Sequence, residues 1–414
     1  MIVSQNRWIS AVLAVSGLVL LGGCQSPDQS SVVNKISAQT EAPGQTGLNW
    51  NGKVFGLTID DLNGDGTKDL VAIDHGKNEA HVFLQAPKQV WGPPNIYTGV
   101  GFHPGNMLTW PGEPKRLILA AEGDNAIRSL VSDAMSGLQV ESNLREIAPR
   151  YIKRFRWPGW GESLVVSPYA HGYIVLLKNY DPGTGKAEER VVVPLSSKEH
   201  SILAAERITV ADIDGDGVDE LLTVVSITNQ VFQIKYPGTK GRHVPKVKEV
   251  YSNKFWGAAN EAQAIDIDRD GDVDLLVPDE IGPAPRGVIN LLLNQGKGKF
   301  REGTPIPFSK PDGIQELRVA RDQDGLDYLF AAGIGGLSLY QVPEVWKDGD
   351  PLPMLSLGWS SSDYTRELQF EDIDGDGWLD VALGRVFSAS PVWIAYGPLW
   401  ERFRALAEAG FSLR

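Results

Sequence analysis

Asp372-Ile373-Asp374-Gly375-Asp376-Gly377-Trp378-Leu379-Asp380 decides the fold of this 414-residue chain. Three more copies stand at Asp61-Leu62-Asn63-Gly64-Asp65-Gly66-Thr67-Lys68-Asp69, Asp212-Ile213-Asp214-Gly215-Asp216-Gly217-Val218-Asp219-Glu220 and Asp266-Ile267-Asp268-Arg269-Asp270-Gly271-Asp272-Val273-Asp274. Each is entered by an alternating run such as Phe55-Gly-Leu-Thr-Ile or Leu368-Gln-Phe-Glu. Each leaves into a second apolar run such as Leu70-Val-Ala-Ile or Leu221-Leu-Thr-Val-Val. Alternation rich in β-branched residues on both sides of a glycine-containing loop reads as strand, loop, strand.

Weaker copies fill the gaps. Thr109-Trp110-Pro111-Gly112 before Leu117 and Arg156-Trp157-Pro158-Gly159 before Leu164 match each other, and Arg321-Asp322-Gln323-Asp324-Gly325-Leu326-Asp327 is a shortened acidic loop. The strands after the loops begin at Leu70, Leu117, Leu164, Leu221, Leu275, Tyr328 and Val381, at steps of 47, 47, 57, 54, 53 and 53 residues. Seven near-equal repeats, each with room for four short strands, predict an all-β chain folded as one β-propeller of seven four-stranded antiparallel blades over residues 47–414. A β-sandwich pair leaves the sevenfold period unexplained, and a β-helix rung is far shorter. The tail Trp400-Glu-Arg-Phe-Arg-Ala-Leu-Ala-Glu-Ala-Gly has a helical pattern; as a helix it leaves the last blade short of a strand, to be borrowed from residues 31–50.

The acidic loops carry the chemistry. Side-chain oxygens at positions 1, 3 and 5 converge when the backbone curls tightly, glycine at 6 permits the turn, the carbonyl at 7 points inward, and an acid at 9 completes the shell. The expected ligands are Asp61, Asn63, Asp65, Thr67 and Asp69; Asp212, Asp214, Asp216, Val218 and Glu220; Asp266, Asp268, Asp270, Asp272 and Asp274; and Asp372, Asp374, Asp376, Trp378 and Asp380, with position 7 contributing its carbonyl. An oxygen-only set of this size selects calcium, at about four sites. An EF-hand is excluded, because position 12 is Ala72, Thr223, Val277 or Leu383 inside strand-like runs. The Asp-x-[Asp/Asn]-x-Asp-Gly-x-x-[Asp/Glu] loop between strands resembles the FG-GAP/VCBS repeat family, the calcium-loop propeller units also found in integrin α heads. The resemblance implies a calcium-bearing propeller whose loop joins the first two strands of a blade. It implies function poorly, since members include adhesins, lectin-like proteins, lyase scaffolds and assembly factors.

Arg321 falls near position 1 of the shortened loop, where its guanidinium is expected to replace the cation by pairing with Asp322, Asp324 or Asp327. On the strand before each loop, Thr58, Thr209, Gln263 and Gln369 alternate with apolar neighbours, and so do Gly56, Arg207, Glu261 and Glu367. One polar face is therefore expected to line a central channel. Trp110, Trp157, Trp160, Trp256, Trp359 and Trp378 sit near blade ends, as packing residues or as a sugar platform. The stretch Arg150-Tyr-Ile-Lys153-Arg154-Phe-Arg156 is a basic segment on a chain of net charge −13 and a candidate partner patch. His75, His81, His103, His171, His200 and His243 are scattered without metal-ligand spacing, and no nucleophile motif occurs.

Net charge argues against nucleic acid as a partner. The single cysteine, Cys24, ends an apolar run Trp8–Leu21 followed by Gly22 and Gly23, after a short region bearing Arg7. Residues 1–23 resemble a lipoprotein signal with Cys24 as the lipidated residue, and 24–46 read as a flexible tether of roughly 25 Å. The chain is expected to be exported and lipid-anchored. Gln25 after the cysteine favours the outer membrane over the inner in a Gram-negative cell. The expected role is a protein- or glycan-binding scaffold. The alternative is an extracellular polysaccharide lyase whose calcium polarises a substrate carboxylate.

Overall fold

The computed structural model describes residues 38–413, apart from 43, 88, 134–136, 196–204, 226–229, 239–243, 253–260, 280–286, 309–312, 360–362, 387 and 389. Cys24, the leader and most of the tether lie outside the described residues. Seven antiparallel sheets form the propeller. Their innermost strands are Val54–Asp60, Pro104–Trp110, Pro149–Phe155, Ala205–Ala211, Gln263–Ile265, Ile314–Arg321 and Tyr364–Glu371, and these define blades 1 to 7. Within blades 1 to 6 the strands step outward in chain order.

The second strands explain the apolar runs after the loops. Asp69–Asp74, Glu220–Val225, Asp274–Pro278 and Asp380–Val386 are buried from end to end. Each is covered on both faces by neighbouring blades, so it reads as continuous hydrophobics. Between blades 3 and 4, for example, Trp157, Val165 and Leu176 pack with Ile208, Leu221, Phe232 and Ile234. Blade 3 has no acidic loop, and Trp157 takes over part of that loop's joining role. It is 1% exposed, lies edge-on to Trp160, and its indole N–H donates to the Asp219 carbonyl in the blade 4 loop at 2.7 Å. Trp157→Ala should cost about 3–5 kcal/mol in urea unfolding, the range for emptying a buried indole site.

Ring closure uses the N-terminal segment. Blade 7 comprises Tyr364–Glu371, Asp380–Val386 and Val392–Ala395, and Gln45–Leu48 then adds antiparallel to Val392–Ala395, with Ala38–Ala42 outside it. The Trp393 indole donates to Gln45 Oε1 at 2.9 Å. The described propeller strands therefore start at 38, not 47. The physical reason is the open edge left on Val392–Ala395 when the chain turns away into a helix. That helix, Leu399–Glu408, buries Leu399, Phe403 and Leu406 against Phe330, Leu339 and Trp393.

Candidate functional site

All four acidic loops join the innermost to the second strand of a blade and share one internal hydrogen-bond pattern. The position-1 carboxylate accepts from the position-6 glycine N–H: Asp61 from Gly66 at 3.0 Å, Asp212 from Gly217 at 2.8 Å, Asp266 from Gly271 at 3.1 Å and Asp372 from Gly377 at 3.0 Å. Those glycines have φ of 86°, 83°, 95° and 93°, in the left-handed region that side chains resist. Leu62, Ile213, Ile267 and Ile373 at position 2 are buried and pin each loop to the core. Their N–H groups donate to the position-9 acid, at 3.0 Å to Asp69, 2.9 Å to Glu220, 3.1 Å to Asp274 and 2.7 Å to Asp380.

The result is a set of converging oxygens. Asp212, Asp214 and Glu220 each offer an oxygen within 4.8 Å of the others, as do Asp266, Asp268 and Asp274, and Asp372, Asp374 and Asp380. In the first loop Asn63 stands in for an acid, and its amide donates to Asp65 Oδ2 at 3.0 Å. The position-9 acids are almost wholly buried. Burial, with neighbouring carboxylates adding to it, pushes Asp69 up to about 6 and Glu220, Asp274 and Asp380 up to about 7. Asp214 Oδ1 and Asp266 Oδ1 are buried and accept no hydrogen bond. Hard oxygen donors crowded in this way fit a divalent hard cation, which would relieve the repulsion.

Blade 6 solves the same problem with protein cations. Arg321 grips Asp327 through two bonds of 2.8 Å, and Arg269 from the blade 5 loop reaches the same carboxylate at 2.5 Å. Asp327 is accordingly held below the usual carboxylate value despite its burial. The shortened loop has its charge satisfied from two blades. Spacing pointed to Arg321; Arg269 carried no signal, because its partner lies in another blade. Lys235 was missed for the same reason. It closes the third strand of blade 4, and its ammonium pairs with Asp214 and, at 3.4 Å, with Glu220.

The innermost strands enclose a central cavity of about 580 Å³. Thr58, Thr209, Gln263 and Gln369 line it as the alternation predicts, joined by Arg207, Glu261 and Glu367. Below them an ion-pair girdle spans the blades. Arg207 pairs with Glu316 and, at 3.5 Å, with Glu367, while Arg318 pairs with Glu261 and, at 3.0 Å, with Glu316. Lys153 also faces the lumen, where burial first, and then Arg318 and Arg207, lower its ammonium from the ordinary lysine value.

The basic stretch is divided by its own strand. Arg150 pairs with Glu122 at 2.9 Å and lies 3.8 Å over the Tyr169 ring, Lys153 faces the channel, and Arg154 and Arg156 share Glu162. Trp110, Trp157 and Trp160 are buried. Trp256 lies outside the described residues, and so does the Trp359 side chain. His75 and His103 do meet, at 3.0 Å, but His75 Nδ1 is bonded to the Pro104 carbonyl at 2.8 Å and its ring stacks on Phe55. That pair packs at one end of the innermost strands of blades 1 and 2.

No protein-family model matches the chain, and no curated protein sequence matches it. Solved structures do. It is similar to a crystal structure of BBS1N in complex with ARL6DN, soaked with lead, at a TM-score of 0.55 and 12% identity over 84% of this chain and 94% of that one. The same complex soaked with mercury matches with a TM-score of 0.54, at the same identity and coverage. At that identity the likeness establishes the β-propeller fold and nothing finer.

Proposed function

We propose that this chain is a calcium-stapled propeller of the FG-GAP/VCBS type serving as a binding scaffold, exported and held to the outer membrane by lipid on Cys24. The supporting observation is the fourfold recurrence of one loop geometry, each copy presenting a nearly buried acid to a set of oxygen donors. In this reading calcium has a structural role. It ties the innermost strand to the second strand and leaves the rims free to meet a partner protein or glycan. The similar BBS1N chain is seen in complex with another protein, which accords with a propeller working through its surfaces.

Pull-down from detergent-solubilised membranes with the full-length lipidated chain tests the reading. A stoichiometric partner is expected. Recovery of none, together with unsaturated products released from uronate polymers, would favour the lyase instead. The loops also differ among themselves. Calcium entering the blade 4 loop must displace Lys235 from Asp214 and Glu220. Lys235→Met should therefore tighten the blade 4 calcium site by about tenfold, as read by calorimetric titration into chelator-treated protein, since one charge-assisted contact is worth roughly 1.5–3 kcal/mol.

A further inference from the structure

A further group of ligating side chains lies at the end of blade 1 away from its acidic loop. Asp69–Asp74 and Glu79–Phe83 form a hairpin in which Asp74 stands opposite Glu79, and His81 opposite the small Ala72. Alternation puts His81 on the same face as Glu79, so two acids and an imidazole share that face, an arrangement the linear spacing of the histidines does not show. Like charges directly across a hairpin destabilise it unless a cation joins them. Asp74, Glu79 and His81 each offer a ligand atom within 4.8 Å of the others. Asp74 and His81 are each 1% exposed, and the Gly76 and Lys53 N–H groups donate to Asp74 Oδ1 at 3.0 and 3.4 Å. That fixes the carboxylate and leaves Oδ2 buried without a hydrogen bond. Trp50 stacks on the imidazole at 4.9 Å, and its indole N–H is likewise buried and makes no hydrogen bond. A Cβ on Gly52 would collide with both Trp50 Nε1 and Asp74 Oδ2, so these two atoms flank a space that glycine leaves open.

We propose that Asp74, Glu79 and His81 bind one zinc ion, with water in the fourth position beside the Trp50 indole N–H. Two carboxylates and a neutral imidazole suit zinc, whereas calcium and magnesium take oxygen ligands. Zinc–ligand lengths of about 2.0–2.2 Å put tetrahedral ligands roughly 3.4 Å apart, close to the 3.1 Å between the His81 ring nitrogen and Glu79 Oε2. The ion replaces that hydrogen bond. It also displaces the Lys77 ammonium, which stops 3.6 Å from Asp74 Oδ2, beyond hydrogen-bond reach, on a side chain 44% exposed. Glu79, at 22% the most open of the three ligands, gives the way in. This goes beyond the scaffold role and does not depend on it.

Zinc titrated calorimetrically into the full chain in calcium-saturated buffer tests the site, calcium keeping the acidic loops filled. One equivalent is expected, with a dissociation constant at or below about 10 μM. Glu79→Gln and His81→Gln should each weaken it at least about tenfold, and Lys77→Met should tighten it. His103→Ala, which breaks the His75–His103 contact, should leave it unchanged. Diffraction from zinc-loaded crystals at the zinc absorption edge reads the wild type directly, and the anomalous peak should stand among Asp74, Glu79 and His81. No zinc taken up, a peak elsewhere such as at His75 and His103, or uptake indifferent to Glu79→Gln would overturn the assignment. The edge measurement decides this even where a variant does not fold.

Discussion

Removing divalent metal from the full chain at pH 8 with a strong chelator should lower its melting temperature by about 10 °C or more. At pH 5.5 the drop should be much smaller. A ligand present at 1,000 times its dissociation constant stabilises by about 4 kcal/mol per site, and four loops share the effect. The pH dependence follows from the position-9 acids. Asp69, Glu220, Asp274 and Asp380 sit at about 6 to 7 in the metal-free fold, against ordinary values of 3.8 for Asp and 4.5 for Glu. A carboxyl raised on folding contributes stability that is complete below its unfolded value and lost as pH rises through its folded value. The metal-free propeller thus weakens between about pH 4 and pH 7. Bound calcium needs the charged form and strengthens over the same interval. Differential scanning fluorimetry at the two pH values, with and without chelator, reads both trends. An equal drop at both would refute the assignment of the loops as metal sites.

Arg207→Met should cost about 3–5 kcal/mol in urea unfolding at pH 7, the penalty for stranding a buried charge. The guanidinium serves Glu316 and Glu367 together and lies 4.8 Å over the Tyr151 ring, so three blades lose a common partner. Burial already raises both acids, with Arg207 and then Arg318 pulling them back. Without Arg207 they rise further. The deficit against wild type should therefore shrink as pH falls towards 5, where protonation neutralises the stranded acids. Adding Glu316→Gln to Arg207→Met should restore about 1–3 kcal/mol, a coupling that double-mutant analysis detects directly. A pH-independent deficit with no recovery in the double variant would mean that the loss is one of packing alone.

What the sequence made legible was whatever a single strand or loop encodes by itself. The seven repeats, the glycine turns at Gly66, Gly217, Gly271 and Gly377, and the inward faces carrying Thr58, Thr209, Gln263 and Gln369 all follow from local period. Arg321 was within reach because its partner Asp327 lies six residues on. Features that need two blades were hidden. Arg269 meets Asp327 only once blades 5 and 6 are side by side, and the Arg207–Glu316–Arg318–Glu261 girdle exists only in a closed ring. Arg150, Lys153, Arg154 and Arg156 form a continuous basic run in one dimension. Strand alternation and the carboxylates of Glu122 and Glu162 separate them in three. The closing strand was legible only as one borrowed from within 31–50 once Trp400 onward is read as a helix; its place could not be fixed, because Gln45-Thr-Gly-Leu48 is short and polar and finds its sheet only beside Val392–Ala395.

That last pairing sets the order of events during synthesis. Gln45 and Trp393 are separated by 348 positions, so the pair Ala38–Ala42 and Gln45–Leu48 waits for nearly the last strand of the propeller before it can join its blade. At about 5–20 residues per second the wait is roughly 17–70 seconds. Until then, blade 1 flanks a gap. A newly made chain therefore stays an open arc that can be threaded or captured. It becomes a ring in one late step, and deleting Gln45–Leu48 should leave the arc unable to shut.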